Sequence, residues 1–360
     1  MKFLRIENTN ISGNSLILFD WYDNHQYPFL LRAQIEIISE LLDFLKLKPT
    51  TLFLMPVINN QIQQSSNFFH ENIETLIQNL KKQNNHLQFQ HVEKTPEKPS
   101  NEIIYIINPT KEFIPIIQYF DFIIIQSYRF LTELKKNNTL TNIENNKFCI
   151  TSDVYETLYF IELLQNQTIK QKVGIFGGNQ IEKTNLFLEA CVKYFQTLLF
   201  GGSVGLHTLK ANGVEIGNSA YVREEISHSF HIINKAYSEE CEVLLPFDHI
   251  ITDKITSKAK TKTSPREIRS PYQGIDIGSK TIEAYEEKIK NANLVFMHGP
   301  LGIIEIEKSK KGTYEILKIL NKSKKPTLLT GYELTNFAKK ENFSLKIVPE
   351  FEFFRYHLIT

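Results

Sequence analysis

The alternation of short apolar runs with helix-patterned stretches constrains this chain more than any other feature. Residues 16–19 and 51–55 form apolar runs bounded by Asp, Pro and Asn that read as buried strands, and 31–45 between them carries apolar positions at helical spacing. A second helical pattern at 68–82 leads to "HLQFQHV", "NEIIYIINP" and "YFDFIIIQSY". Their β-branched runs suit the central strands of a parallel sheet. The stretch "SDVYETLYFIELLQ" (152–165) opens on Ser152 and Asp153, either of which can cap a helix, and predicts a helix linking two halves. Beyond it the alternation resumes through "KVGIFGG", a helix at 183–194, "TLLFGG", a helix near 204–211, "CEVLLPFDHIITD", "NLVFMHGP", a helix at 313–320, "KPTLLTG" and "LKIVP". A length of 360 residues suits two cores rather than one. The expected fold class is therefore α/β, two doubly wound parallel-sheet domains joined by a connecting helix. The expected boundaries are 1–151 for the first domain, 152–171 for the helix and linker, 172–349 for the second domain and 350–360 for an apolar tail. The polar run "DKITSKAKTKTSPREIRSP" (253–271) reads as a solvated loop, or as a contact for an acidic partner.

Charge excludes one group of functions. With 41 Lys and Arg against 40 Asp and Glu the net charge is +1, which offers no electrostatic footprint for nucleic acid or an anionic membrane. No apolar run reaches the length of a membrane span, and the opening residues "MKFLRIENTNISGNS" lack the apolar core of a signal peptide. The expectation is a cytoplasmic protein with no nucleic-acid partner and no membrane insertion. Cys149, Cys191 and Cys241 lie far apart without metal or redox spacing, so they are expected to be buried thiols. His228 and His231 stand three residues apart on a predicted helix with no third ligand nearby, and no metal site is expected.

Chemistry enters at "IFGGNQIEKT" (175–184), an apolar run, a glycine pair and a helix start, the layout in which backbone N–H groups approach a phosphate. With it, "LLFGGSVGLHTLKANGVEIGNS", "EVLLPFDHIITDK", "GIDIGSKTIEAYEEKIKNANLVFMHGPLGIIEIEKSKKGT" and "TLLTG" occur in the order of the C-terminal domain of phosphoglycerate kinase. The chain resembles that family over 172–331, and more thinly, through element order, over its first half. The resemblance implies a two-domain enzyme that moves a phosphoryl group between 1,3-bisphosphoglycerate and Mg-ADP, with the acid on the first domain and the nucleotide on the second.

Against that implied chemistry the residues depart. Phosphoryl transfer leaves a protein little covalent work; cations and backbone donors placed around a spreading negative charge do it. Where the resemblance implies lysines after the glycine pair, this chain has Gln180 and Thr184; where it implies arginines or donors on the first domain, it has Leu30, Asn60 and Thr110. Asp20 is the one acid-side residue that survives. Lys183 adjoins Thr184, but neighbours on a helix point about 100° apart. Tyr332 occupies a glycine position and Glu333 an aspartate position in the turn that meets the Mg-nucleotide. One cation on the moving phosphate is worth on the order of 10³ to 10⁵ in rate and one fixed donor on the order of 10² to 10³. With five such positions replaced, no catalytic residue and no kinase activity are expected.

What survives is Gly201, Gly202, His298, Gly299, Pro300, Glu305 and Glu333. These either shape a weak nucleotide slot or merely keep turns tight and pair locally. No cofactor is expected, and ADP or ATP with Mg is the one candidate the slot leaves open. A framework kept while its chemistry is replaced leads to the expectation of a non-catalytic structural or adaptor subunit, with other protein subunits of a larger cytoplasmic assembly as partners. The resemblance, taken together with a composition that fits an AT-rich genome (26 Phe, one Trp), implies as a guess at the host a rotary-ATPase-like motor complex of the gliding type. The alternative is a diverged nucleotide-binding sensor or a residual phosphotransferase of the same family.

Overall fold

The computed structural model describes residues 152–256 and 260–348 throughout, with 4–5, 11, 13–20, 38–39, 41–42, 45, 50–57, 77–83, 87–92, 103–107, 122–125 and 148–150 before them. The chain divides into two compact units, 1–158 and 159–360, and the division falls inside helix α1 (Ser152–Gln165).

The first unit is built on seven strands, β1 (Leu4–Arg5), β2 (Gly13–Asp20), β3 (Thr50–Val57), β4 (Gln88–Val92), β5 (Ile103–Ile107), β6 (Phe122–Ile125) and β7 (Phe148–Ile150). They run parallel in the order β1-β7-β6-β2-β3-β5-β4. Ile17, Leu52, Leu54, Ile104, Ile106 and Ile124 meet Ile38, Leu41, Leu42 and Leu45, whose spacing of three, one and three residues is one face of a helix. The predicted strands and the helix at 31–45 are thus seen through their buried positions. Leu30, Asn60 and Thr110 lie outside the described residues, as does the tail 350–360; of Asp20 only the strand backbone is described.

In the second unit β8 (Lys172–Phe176), β9 (Thr197–Phe200), β10 (Glu242–Leu244), β14 (Leu294–His298), β15 (Thr327–Thr330) and β16 (Lys346–Val348) form a parallel sheet in the order β10-β9-β8-β14-β15-β16. Strands β11 (Asp248–Thr252), β12 (Lys262–Pro265) and β13 (Gln273–Ile277) form a smaller antiparallel sheet. Six further helices follow in chain order: α2 (Ile181–Cys191), α3 (Gly202–Ala211), α4 (Ile226–Ser238), α5 (Ser279–Asn291), α6 (Lys311–Ser323) and α7 (Tyr332–Lys340).

The strand period of two sorts the core into two layers. Val173, Ile175, Val295 and Met297 face an aliphatic layer with Ile289, Ile316, Leu317, Leu320 and Leu334. Phe176 and Phe296 point the other way, 5.7 Å apart between ring centroids, and collect Phe187, Phe195 and Phe200 around them. Gly174 makes room for this layer, since a Cβ there would stand 2.7 Å from the Phe176 ring. Cys191 and Cys241 are buried free thiols as expected, and burial pushes Cys241 up to about 12.

Two local expectations are corrected. The stretch "CEVLLPFDHIITD" is not one strand: β10 leaves the main sheet before Pro246, a residue without a ladder donor, and β11 starts the second sheet. The run 253–271 is not all loop, because it contains β12. That strand is an edge with three of four residues exposed, so its polar composition hid it, and pairing with β11 imposes the extended form. Lys262 of this strand places its Nζ 3.5 Å from the centre of the Tyr272 ring.

Buried carboxylates hold two helix starts from a distance. Asp248 accepts hydrogen bonds from the Lys280 and Thr281 N–H groups and from the Thr281 hydroxyl at 3.2, 2.9 and 2.8 Å, in place of a side-chain cap at Gly278. Asp276 accepts from the N–H of Gly312 at 2.7 Å, at the start of α6, and from that of Ile277 at 2.9 Å. Burial nevertheless dominates and raises the Asp276 carboxyl to about 7.

Gly174→Ala is expected to lower stability by about 1 to 3 kcal/mol through overpacking, read from urea midpoints. For Asp276 the folded chain retains a proton that the unfolded chain releases between about pH 4 and 7, so this group's stabilisation is lost as pH rises through that window. Asp276→Asn should therefore gain stability relative to the parent chain between pH 4.5 and 7.5; a constant difference across that range contradicts the assignment.

Candidate functional site

Four neighbouring strands of the main sheet, β9, β8, β14 and β15, each end on a glycine: Gly201, Gly177, Gly299 and Gly331. Strand order reverses between β8 and β14, and the carboxyl ends beside such a reversal are where α/β sheets place ligands. Here the turns meet one another. The Gly177 N–H donates to the His298 carbonyl at 2.8 Å, Gly178 to Pro300 at 2.7 Å, Gly201 to Phe176 at 2.9 Å, Gly202 to Leu301 at 2.8 Å and Gly299 to Thr330 at 3.2 Å. The contact is close enough that a Cβ at Gly177 would lie 2.2 Å from the Pro300 oxygen, and one at Gly299 2.6 Å from the Gly177 oxygen. Gly178, Gly202 and Gly299 also have φ of 81, 56 and 73°, which disfavours any side chain. Five backbone donors at the glycine turns are spent on the fold.

Beside these turns opens a cleft of about 290 Å³. Gly178, Gly202 and Pro300 line it; α3 contributes Ser203 and Leu206; β11 and β13 contribute His249 and residues 273–277; and the exposed Glu305 and Glu333 complete the lining named here. Of the residues singled out from the sequence, Gly202, Pro300, Glu305 and Glu333 line this cleft, while Gly201, His298 and Gly299 sit in the turns next to it and do not. Gln180 and Thr184 do not reach it either. Thr184 is fully buried and its hydroxyl donates to the Gln180 carbonyl at 2.9 Å, a bond within the first turn of α2. His298 is buried against Thr330, with Nδ1 3.0 Å from its hydroxyl, and burial, then the nearby Lys183 charge, lowers it to about 3.

The ionisable side chains of the cleft are acidic, apart from His249. Burial and then the charge of Glu305 raise the Glu333 carboxyl. Asp276 lies deeper and Lys or Arg is absent from the described lining. His249 is the polar residue that sequence reasoning missed. It is 2 % exposed, and its Nε2 is a buried polar atom without a hydrogen-bond partner. Burial lowers this imidazole to about 4, so it is neutral at physiological pH. The signal available in the sequence was a His inside the apolar run "FDHII", and for Asp276 an acid inside "GIDI".

Away from the cleft, His228 stands between Glu189 and Glu225, at 3.2 and 3.1 Å, and His231 is exposed. Among the described residues no group of three His, Cys, Asp or Glu could hold a metal ion, and no helix is long and apolar enough to cross a membrane.

The phosphoglycerate kinase family model matches residues 32–348. A phosphoglycerate kinase of Leptospira biflexa is 34% identical over 191 residues, 52% of this chain and 48% of that protein. One of Clostridium botulinum is 33% identical over 160 residues, 44% of this chain and 40% of that one. The matches thus span about half the length of these relatives or less. The structure of phosphoglycerate kinase from Coxiella burnetii superposes with a TM-score of 0.73 at 18% identity, covering 99% of this chain and 96% of that one. The enzyme from Pyrococcus horikoshii gives 0.65 at 15% identity over the same shares, and both likenesses speak to the fold alone. With a family model matched across most of its length and a parallel-sheet architecture that the solved structures share, the chain belongs to the phosphoglycerate kinase family.

Proposed function

We propose that this protein is a non-catalytic member of its family, a structural or adaptor subunit of a larger protein assembly. The observation that carries the reading is the glycine-turn interlock: at turns with the layout of a phosphate-binding site, the glycine N–H groups are bonded to protein carbonyls. Around them the cleft presents carboxylates, and carboxylates repel the charge that a phosphoryl transition state spreads over its oxygens. Gln180 and Thr184 add no positive charge, and Thr184 is buried. The names of the relatives favour the opposite reading, a working kinase, and the two readings separate in one assay. Phosphate transfer from 1,3-bisphosphoglycerate to Mg-ADP should be undetectable; turnover within about tenfold of a median enzyme, roughly 10 s⁻¹, overturns the proposal.

An adaptor needs partners. Affinity purification of the endogenous protein should recover a fixed set of other chains in constant ratio, and rotary-ATPase-type subunits among them would extend the proposal to a motor complex. A monomer recovered alone from native lysate contradicts the adaptor role. The second reading, a diverged nucleotide-binding sensor, is supported by the cleft itself, which sits at the lower edge of the roughly 300–1,000 Å³ typical of small-molecule sites.

A further inference from the structure

Positive charge in this protein is concentrated around one strand edge. From Lys254 to Arg269 the sequence holds six Lys and Arg against one acid, Glu267, a net of +5 in a chain whose total is +1, which leaves the rest net negative. Lys254, Lys260, Lys262, Arg266 and Arg269 are all exposed, and no ion pair among the described residues includes any of them. Two of these charges are held in place without being neutralised. The Lys262 ammonium lies over the Tyr272 ring, and Arg266 sits 5.1 Å from the centre of the Phe247 ring while its Nε–H donates to the Pro246 carbonyl at 3.2 Å. Strand β12 ends its sheet and pairs with β11 alone, and no other described segment hydrogen-bonds to the backbone of 262–265. In an antiparallel pair every second residue turns its backbone groups away from the neighbouring strand, so the outer side of β12 is an open edge.

We propose that the outer edge of β12 docks an acidic, extended segment of another protein, which pairs with it backbone to backbone while its carboxylates meet Lys260, Lys262 and their basic neighbours. Charge selects the occupant. A second copy of this chain is disfavoured, because two such edges brought together set Lys against Lys, and Lys262 and Pro265 are residue types with which sheet edges avoid pairing with themselves. Nucleic acid or an anionic membrane extends past the basic run onto a chain that is net negative elsewhere, and neither presents the evenly spaced N–H and C=O groups that a strand edge pairs with. An acidic peptide supplies both the charge and the backbone groups. The inference gives the adaptor reading a contact surface and rests on that reading.

Fluorescence anisotropy on the full chain tests it, with a short labelled peptide of alternating Glu and Thr and an analogue methylated at every backbone nitrogen, which keeps the charges and loses the N–H donors. The first peptide should bind about tenfold more tightly than the second, and more weakly as salt rises from about 0.1 to 1 M and the Debye length falls from about 10 to 3 Å. Lys260→Glu combined with Lys262→Glu should abolish binding, whereas the same charge change at Lys322 and Lys339, exposed on α6 and α7, should not; unchanged circular dichroism confirms that both variants fold. Oligothymidylate and phosphatidylserine vesicles should fail to displace the peptide. In the complex purified with the endogenous protein, a carbodiimide, which joins amines to carboxylates in contact, should link Lys254, Lys260 or Lys262 to an Asp- or Glu-rich segment of another chain. No peptide binding, equal binding of the methylated analogue, binding that survives the Lys260 and Lys262 changes, or displacement by oligothymidylate or vesicles overturns the inference. The two proposals fail separately: a complex whose carbodiimide links all lie elsewhere refutes the docking edge and leaves the adaptor reading standing, and a monomer recovered alone refutes the adaptor reading while the peptide assay still decides the edge.

Discussion

The second unit depends on backbone packing against backbone at the carboxyl ends of β8, β9 and β14. Gly177, Gly202 and Gly299 have no side chains where the Pro300 and Gly177 carbonyls approach, and that closeness lets the three turns exchange hydrogen bonds. The interlock fixes the start of α3, the path from Gly299 to Leu301 and the floor of the cleft together. It also commits the N–H groups of Gly177, Gly178, Gly201, Gly202 and Gly299 to protein carbonyls. A turn that looks from its composition like an anion cradle here joins the chain to itself, with the Gly178 N–H on the Pro300 carbonyl at 2.7 Å.

Electrostatics then follows from what lines the remaining space. Two carboxylates stand in the lining, a third is buried deeper with its proton affinity raised, and the imidazole between the sheets is neutral. Such a surface is poor at steadying migrating negative charge and well suited to neutral hydrogen-bond donors. The fold's apolar layers carry none of this specialisation. Phe176, Phe296 and their neighbours on one face, and the aliphatic residues on the other, need volume and period only. The framework of the family can therefore persist while the groups specific to its chemistry change.

How much was legible depends on whether a property is local. Apolar period located β2 to β6 of the first unit, the six strands of the second unit's parallel sheet and the helical face at Leu41, Leu42 and Leu45, since each of these elements announces its own buried side, whereas the short β1 and β7 were not expected. β12 was missed because an exposed edge strand has no apolar signature of its own; its partner β11 creates it. The split of "CEVLLPFDHIITD" into β10 and β11 was hidden for a related reason, since both halves are apolar and only their pairing partners differ. At the site, the identities of Gln180, Thr184, Glu305 and Glu333 were plain, but their surroundings were not.

The sequence by itself determined most of the element order, the two-domain α/β class, the glycines at the strand ends and the uncharged Gln180 and Thr184 after the first glycine pair. Those are properties of residues and their near neighbours. Tertiary structure alone decided that Gly178 spends its N–H on Pro300, that Thr184 turns inward, that Glu305 reaches Glu333, and that His249 is left without a partner. The Gly178–Pro300 and Glu305–Glu333 pairs join groups far apart along the chain, and hydrogen bonding and desolvation depend on what stands within a few ångströms in space, which no local pattern encodes.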